Sequence, residues 1–208
     1  MKKEITFEEF LPVFTGAFGK DLDYQRRKEF IQVPEKMAAI KSLFLYFTGN
    51  KRFEESSGHS LHKGIYLLGP IGVGKTITMR AFEYLRRAFH EATNAPYLDK
   101  GMITVVPSIS LVTNYNLNGE ESLRSIVNIP GLCIDDLGNE EIGHHFGNKR
   151  DVVSQIIQMR YNTGALTHAT SNIKPTDLRQ KYDERVIDRM REMFNVVKFD
   201  LNGKSMRR

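Results

Sequence analysis

The chain has 208 residues (23.9 kDa), 40% of them hydrophobic and 26% charged. This size and balance suit one substantial buried core with a small extension. No apolar run approaches the roughly 20 residues that span a bilayer, and no secretory h-region opens the chain, so no membrane association is expected. The single cysteine, Cys133, rules out an internal disulfide, no Cys/His cluster has zinc spacing, and a reducing cytoplasm is the expected location. A net charge of +5 and a pI near 9.2 permit nucleic-acid contact without requiring it.

In chain order, residues 1–62 read as a helical N-terminal extension and a possible partner-binding segment. Thr6 and Glu9 form a capping box, and Phe7, Phe10, Leu11, Phe14 and Phe18 follow helical spacing, with Pro12 predicting a kink or a split. Pro34 opens a second helix, with Met37, Ile40, Leu43, Phe44 and Phe47 inward and Gly49 as its stop. Residues 51–63 are polar and read as a loop.

From residue 63 onward apolar strands alternate with helical patterns, which predicts an α/β domain: a parallel five-stranded sheet flanked by helices. The expected strands are 64–68, 102–106, 131–135, 165–170 and 195–200. The expected helices are 77–91, 108–116, 120–127, Lys149 to Tyr161 and Asp183 to Phe194.

The first expected strand runs into Gly69-Pro70-Ile71-Gly72-Val73-Gly74-Lys75-Thr76, a complete G-x4-G-K-[ST] phosphate loop, and a helix follows. Strand, glycine turn and helix are the context the motif needs. Backbone N–H groups close around the phosphates at the positive end of a helix dipole. Lys75 supplies a point charge, and the Thr76 hydroxyl suits Mg2+. The chain is expected to bind ATP.

Leu132-Cys133-Ile134-Asp135-Asp136 is an apolar strand ending in two carboxylates, about sixty residues after the phosphate loop. That is the requirement of a Walker B element, with Asp135 for the Mg2+ shell and Asp136 for the attacking water. Ala165 to Asn172 is a further strand with a polar tip. A side-chain amide there, beside the phosphate loop, can hydrogen-bond the γ-phosphate and the lytic water, so Asn172 is the candidate sensor. Arg185 and Arg189 lie four apart on one helical face, where intrahelical salt bridges through Asp188 explain them as well as a catalytic role does.

Taken together, GPIGVGKT, CIDDLG, Gln158-Met159-Arg160-Tyr161 followed by THATSN, ERVIDRM and the closing Leu201 to Arg207 resemble the AAA+ (ASCE) P-loop NTPases of the DnaC-type replicative-helicase loader group. They are similar too to the helper ATPases of insertion-sequence transposition. The resemblance covers about Gly64 to Arg208. It implies Asn172 as sensor 1, Arg185 as an arginine finger reaching a neighbouring subunit (Arg189 being the alternative), and Arg207 as a sensor 2 residue on the nucleotide of its own subunit. It also implies an ATP-dependent homo-oligomer that binds a hexameric replicative helicase and single-stranded DNA, or else a regulator that binds duplex DNA and recruits a transposase. A small-molecule kinase is disfavoured, because no arginine-bearing lid is evident. The second acid of the Walker B pair is Asp136 where AAA+ proteins generally have Glu. The shorter side chain stands farther from the water, which implies slow, switch-like ATPase activity. The extension has no motif of a known helicase-binding domain.

Overall fold

The computed structural model describes residues 5–24, 34–55, 58–93 and 103–199. Two helices come first, α1 (Phe7–Tyr24) and α2 (Pro34–Phe47), with a 3-10 turn at Lys51–Phe53 inside the stretch read as loop. Then follow β1 (Gly64–Leu68), α3 (Lys75–Thr93), β2 (Thr104–Pro107), α4 (Ser108–Asn118), α5 (Glu120–Val127) and β3 (Leu132–Asp135). A hairpin of β4 (Gly143–His145) and β5 (Asn148–Arg150) leads to α6 (Val152–Asn162) and β6 (Thr167–Ser171). A 3-10 turn at Asp177–Gln180, α7 (Glu184–Met193) and β7 (Phe194–Lys198) complete the described chain.

The sheet is five-stranded and parallel throughout, in the order β2-β3-β6-β1-β7. Every residue of β1 is buried, as expected of a central strand covered on two faces. Alternation splits the core. Ile65, Leu67 and Cys133 face a cluster built with α1, α2 and α3, whereas Tyr66, Leu68, Ile134 and Ala169 face one built with α4 to α7. Gly64 is required where β1 meets β6, since a Cβ there would stand 1.6 Å from the Thr167 carbonyl oxygen.

The N-terminal helices share the first of these clusters. Phe10, Phe14 and Phe47 surround Phe82 of α3 at ring separations of 5.7, 5.2 and 4.5 Å. The expected capping box is present: Thr6 N–H donates to the Glu9 carboxylate at 3.0 Å, and Glu9 N–H to the Thr6 hydroxyl at 3.2 Å. Of the kink or split expected at Pro12, the split is absent: α1 runs through Pro12 as one helix. Pro12 and Glu8 are exposed, so the carbonyl that loses its donor is left to water, while buried Phe10 and Phe14 fix the helix on either side.

Two further readings are corrected. The helix expected from Lys149 begins at Val152, and Lys149 lies in β5. Asp151 marks the true start, its carboxylate accepting from Ser154 N–H at 3.0 Å. Asp183 likewise caps α7 through Val186 N–H at 2.9 Å, and β7 follows at Phe194 without a loop. Ala88 and Phe89, expected on the inner face of α3, have side chains outside the described residues.

Arg160 is fully buried in α6. Its guanidinium donates to the carbonyls of Val127 (2.7 Å), Ile129 (2.8 Å) and Leu166 (2.6 Å), and to the Thr167 hydroxyl at 2.8 Å. It thereby satisfies the carbonyls left open at the C-terminus of α5, where the helix dipole favours a cation. Burial pulls it down to about 10, which leaves it charged at neutral pH. Arg160→Met should cost about 3 kcal/mol, because it orphans several buried carbonyls at once. A urea midpoint within error of wild type would contradict this role.

Candidate nucleotide site

The phosphate loop, Gly69 to Thr76, joins β1 to α3. Gly72 (φ 84°) and Gly74 (φ 95°) take the left-handed conformations that turn loop N–H groups inward, and α3 begins at Lys75. Pro70 and Gly72 are half-buried, Val73 is buried, and Ile71 is exposed on the outer side of the turn. Lys75 is buried, with its ammonium on the loop carbonyls of Gly69 (2.8 Å) and Pro70 (3.0 Å). A cation held across its own loop is preformed for an anion there.

Asp135 ends β3 and is buried. Its Oδ1 accepts from the Thr76 hydroxyl at 2.9 Å and the Thr170 hydroxyl at 2.6 Å. Burial pushes this carboxyl above the usual carboxylate range and neighbouring Asp136 adds to that, while the two hydroxyl donors oppose it. Among the described residues no group of three or more His, Cys, Asp or Glu could hold a metal ion. One carboxylate beside a threonine hydroxyl is the partial donor set that suits Mg2+ completed by phosphates and water.

Asp136 is arranged differently. Its φ of 53° is left-handed, tolerated by Asp at a cost, and it turns the exposed carboxylate out of the strand line. Two bonds hold that conformation. Its N–H donates to the Thr170 hydroxyl at 3.0 Å, and its carbonyl accepts from the Ser108 hydroxyl at 3.0 Å. Thr170 thus positions both acids, one by donating and one by accepting.

The strand between β1 and β3 is β6, so Asn172 follows directly at its tip, next to the phosphate loop. Gly69 N–H donates to Ser171 O at 3.1 Å, which fixes that proximity. The Asn172 side-chain oxygen is buried without a hydrogen-bond partner. An orphaned acceptor beside a phosphate loop fits a missing donor such as a water on a bound nucleotide.

The two candidate arginines differ. Arg189 is half-buried, donates to Gln158 Oε1 at 2.9 Å and lies 5.2 Å from the Tyr161 ring centroid. Arg185 is exposed and makes no hydrogen bond or ion pair among the described residues. Asp188, its expected salt-bridge partner, pairs with Arg191 at 3.5 Å instead. Arg207 lies outside the described residues.

Sequence reasoning missed three contributors. Thr170 lies within THATSN but was not singled out, although a hydroxyl on the strand flanking the acids was a usable signal, and Ser108 carried no motif. Lys36 came without any signal. It is buried in α2, 4.5 Å from the Phe18 ring centroid, and its ammonium would lie 3.7 Å from a Cβ on Gly74. Burial lowers its pKa to about 8. The N-terminal helices therefore touch the phosphate loop itself.

No protein-family model matches the chain. Over 123 residues it is 28% identical to the replicative helicase loader DnaI of Bacillus subtilis (strain 168), a match covering 58% of this chain and 36% of that protein. The chain thus spans about a third of that relative's length. Among solved structures it resembles DnaI (TM-score 0.55, 24% identity, 86% of this chain and 87% of that one). It also resembles the DnaC helicase loader (0.56, 21%, 81% and 92%). The chain has the fold of the DnaI and DnaC loader structures. The resemblance carried by GPIGVGKT, CIDDLG and THATSN is borne out, and the AMPPCP-bound DnaA of Aquifex aeolicus shares the AAA+ architecture (0.53, 14%, 85% and 50%). No described helix is long and apolar enough to cross a membrane.

Thr170→Val keeps the shape of the site while removing a hydroxyl from two acids. Calorimetry should find ATP affinity in EDTA unchanged within about twofold, and the Mg2+-dependent gain in affinity cut by about tenfold, the worth of one charge-assisted hydrogen bond. Equal Mg2+ dependence in mutant and wild type would contradict the positioning of Asp135 by Thr170.

Proposed function

We propose that the protein is an ATP-switched loader that places a hexameric replicative helicase on single-stranded DNA. The observation that carries this reading is the Thr76–Asp135–Thr170 constellation beside an intact phosphate loop, in a fold shared with DnaI and DnaC. The choice of partner is supported by the similarity to DnaI, which is a replicative helicase loader.

In this reading the loop N–H groups and Lys75 hold the phosphates, Lys75 exchanging two loop carbonyls for phosphate oxygens. Thr76 and Asp135 would hold a Mg2+, which would polarise the phosphoanhydride bond of a bound triphosphate. Asp136 accepts the proton of a water, and the Asn172 amide orients that water with its otherwise unused oxygen. Asp136 is one methylene shorter than Glu, which favours slow turnover, so bound ATP serves mainly as a signal. Arg185, exposed and uncommitted, is the arginine offered to a neighbouring subunit, and Arg189 holds α7 against α6. Assembly in the presence of ATP is then part of the switch.

Loading can be measured on covalently closed single-stranded circles, which a closed helicase ring cannot thread. The host helicase should reach the circles with wild-type protein and ATP, and fail to do so with Lys75→Ala. Loading by the mutant equal to wild type would refute the ATP switch.

A finger acting in trans makes a further demand. Arg185→Ala should keep monomer ATP affinity and lose assembly-stimulated hydrolysis by about 10^3-fold. Mixing it with Lys75→Ala should restore part of the activity, because mixed assemblies pair an intact site with an intact finger. If assembly is confirmed by light scattering and no ratio restores activity, Arg185 is not the finger.

A further inference from the structure

The nucleotide site as described leaves Lys36 without a task. It is 2% exposed, although lysine is among the residues least often buried. It also lies in the first turn of α2, where the positive end of the helix dipole disfavours a cation. Its pKa near 8 reflects the cost of that burial.

The surroundings of the ammonium account for its position. It stands 4.5 Å from the Phe18 ring centroid, a cation–π contact that holds it in place without neutralising it. Gly74 lies beside it: a Cβ there would rest 3.6 Å from Phe18 Cζ and 3.7 Å from Lys36 Nζ. Gly74 has a φ of 95° and directly precedes α3, which begins at Lys75. A buried ammonium from the first turn of α2 and the first turn of α3 therefore meet at one glycine of the phosphate loop. All of these carry positive charge, and a phosphate group complements them. The two lysines divide the loop between them. Lys75 lies on the carbonyls of Gly69 and Pro70, where β1 runs into the loop. Lys36 lies at Gly74, where the loop runs into α3. In a loop of this kind the backbone N–H groups cradle the α- and β-phosphates, and the lysine of the motif reaches the β- and γ-phosphates.

We propose that Lys36 is a second phosphate-binding cation, supplied by the N-terminal helices, which contacts the α- and β-phosphates of a nucleoside di- or triphosphate at Gly74. An ammonium on a flexible four-carbon stem can pass from the Phe18 ring to a phosphate oxygen without moving its helix. The N-terminal helices pack on α3 through Phe10, Phe14 and Phe47 around Phe82. A phosphate held by both Lys36 and the loop adds a clamp between α2 and that same core, so nucleotide occupancy is felt in the N-terminal segment. The inference rests on the nucleotide-binding reading and extends it to that segment.

Calorimetry on the full-length protein with Mg2+ and either ADP or ATP tests the contact. Lys36→Met removes the charge and keeps an unbranched side chain. It should weaken both nucleotides by about tenfold, the worth of one charge-assisted hydrogen bond. Lys36→Gln carries the same test if the methionine variant does not fold. Hydrogen exchange adds a reading that a purely structural lysine would not move. Saturating ADP should slow amide exchange across α2 in wild type and leave it unchanged in the variant. Unchanged affinity for both nucleotides, or equal protection of α2 in variant and wild type, would overturn the contact and leave the nucleotide site standing. A loss confined to ATP would overturn it too, by moving the lysine to the γ-phosphate. Tighter binding in the variant would overturn it by showing that the helices obstruct the site. If wild type binds neither nucleotide, the nucleotide reading fails and the contact fails with it.

Discussion

The geometry of the site depends on one strand. Because β6 lies between β1 and β3, the Thr170 side chain reaches the acids of β3 while Asn172 emerges beside the phosphate loop. A buried carboxylate in an apolar sheet is costly. Asp135 is kept there by two hydroxyl donors, which leave the carboxylate desolvated and only partly satisfied. The same Thr170 oxygen accepts from the N–H of left-handed Asp136, so the two acids stand in different surroundings at adjacent positions, one buried and one exposed.

A second connection runs from these acids toward α7. Glu140, buried just beyond the Walker B turn, accepts from Gly138 N–H at 2.9 Å, from the Tyr182 hydroxyl, and from Lys181 at 3.2 Å. Tyr182 and Lys181 immediately precede the Asp183 cap and the helix that presents Arg185. Burial and the Glu140 charge raise the Tyr182 hydroxyl above its ordinary range, so it stays a neutral donor to that carboxylate. On the opposite side, Phe18 and Lys36 rest against Gly74, so the N-terminal helices have a direct path to the phosphate loop.

Much of this was legible because it is local. The phosphate loop, the buried strands and the capping residues Thr6 and Glu9 depend on neighbours in sequence, where periodicity and backbone chemistry speak clearly. Pro12 misled because helix breaking is a local tendency, and here buried phenylalanines on either side outweigh it. The hairpin was missed because three-residue strands have no usable period, and Phe-Gly is not the expected turn pair. Thr170 and Lys36 were hidden for a different reason: their roles exist only once β6 sits beside β3 and α2 lies on the phosphate loop. The ambiguity between Arg185 and Arg189 was likewise one of tertiary contacts, since spacing alone assigned both to Asp188.

The central claim is that nucleotide state controls a helicase-binding form of this protein. The most direct measurement is association with the host's hexameric replicative helicase, followed by size-exclusion chromatography with light scattering in ATP and in ADP. The account predicts a defined complex in ATP that dissociates, or changes stoichiometry, in ADP. The same complex in ATP, in ADP and without nucleotide would contradict the switch, and no complex under any condition would contradict the loader reading itself.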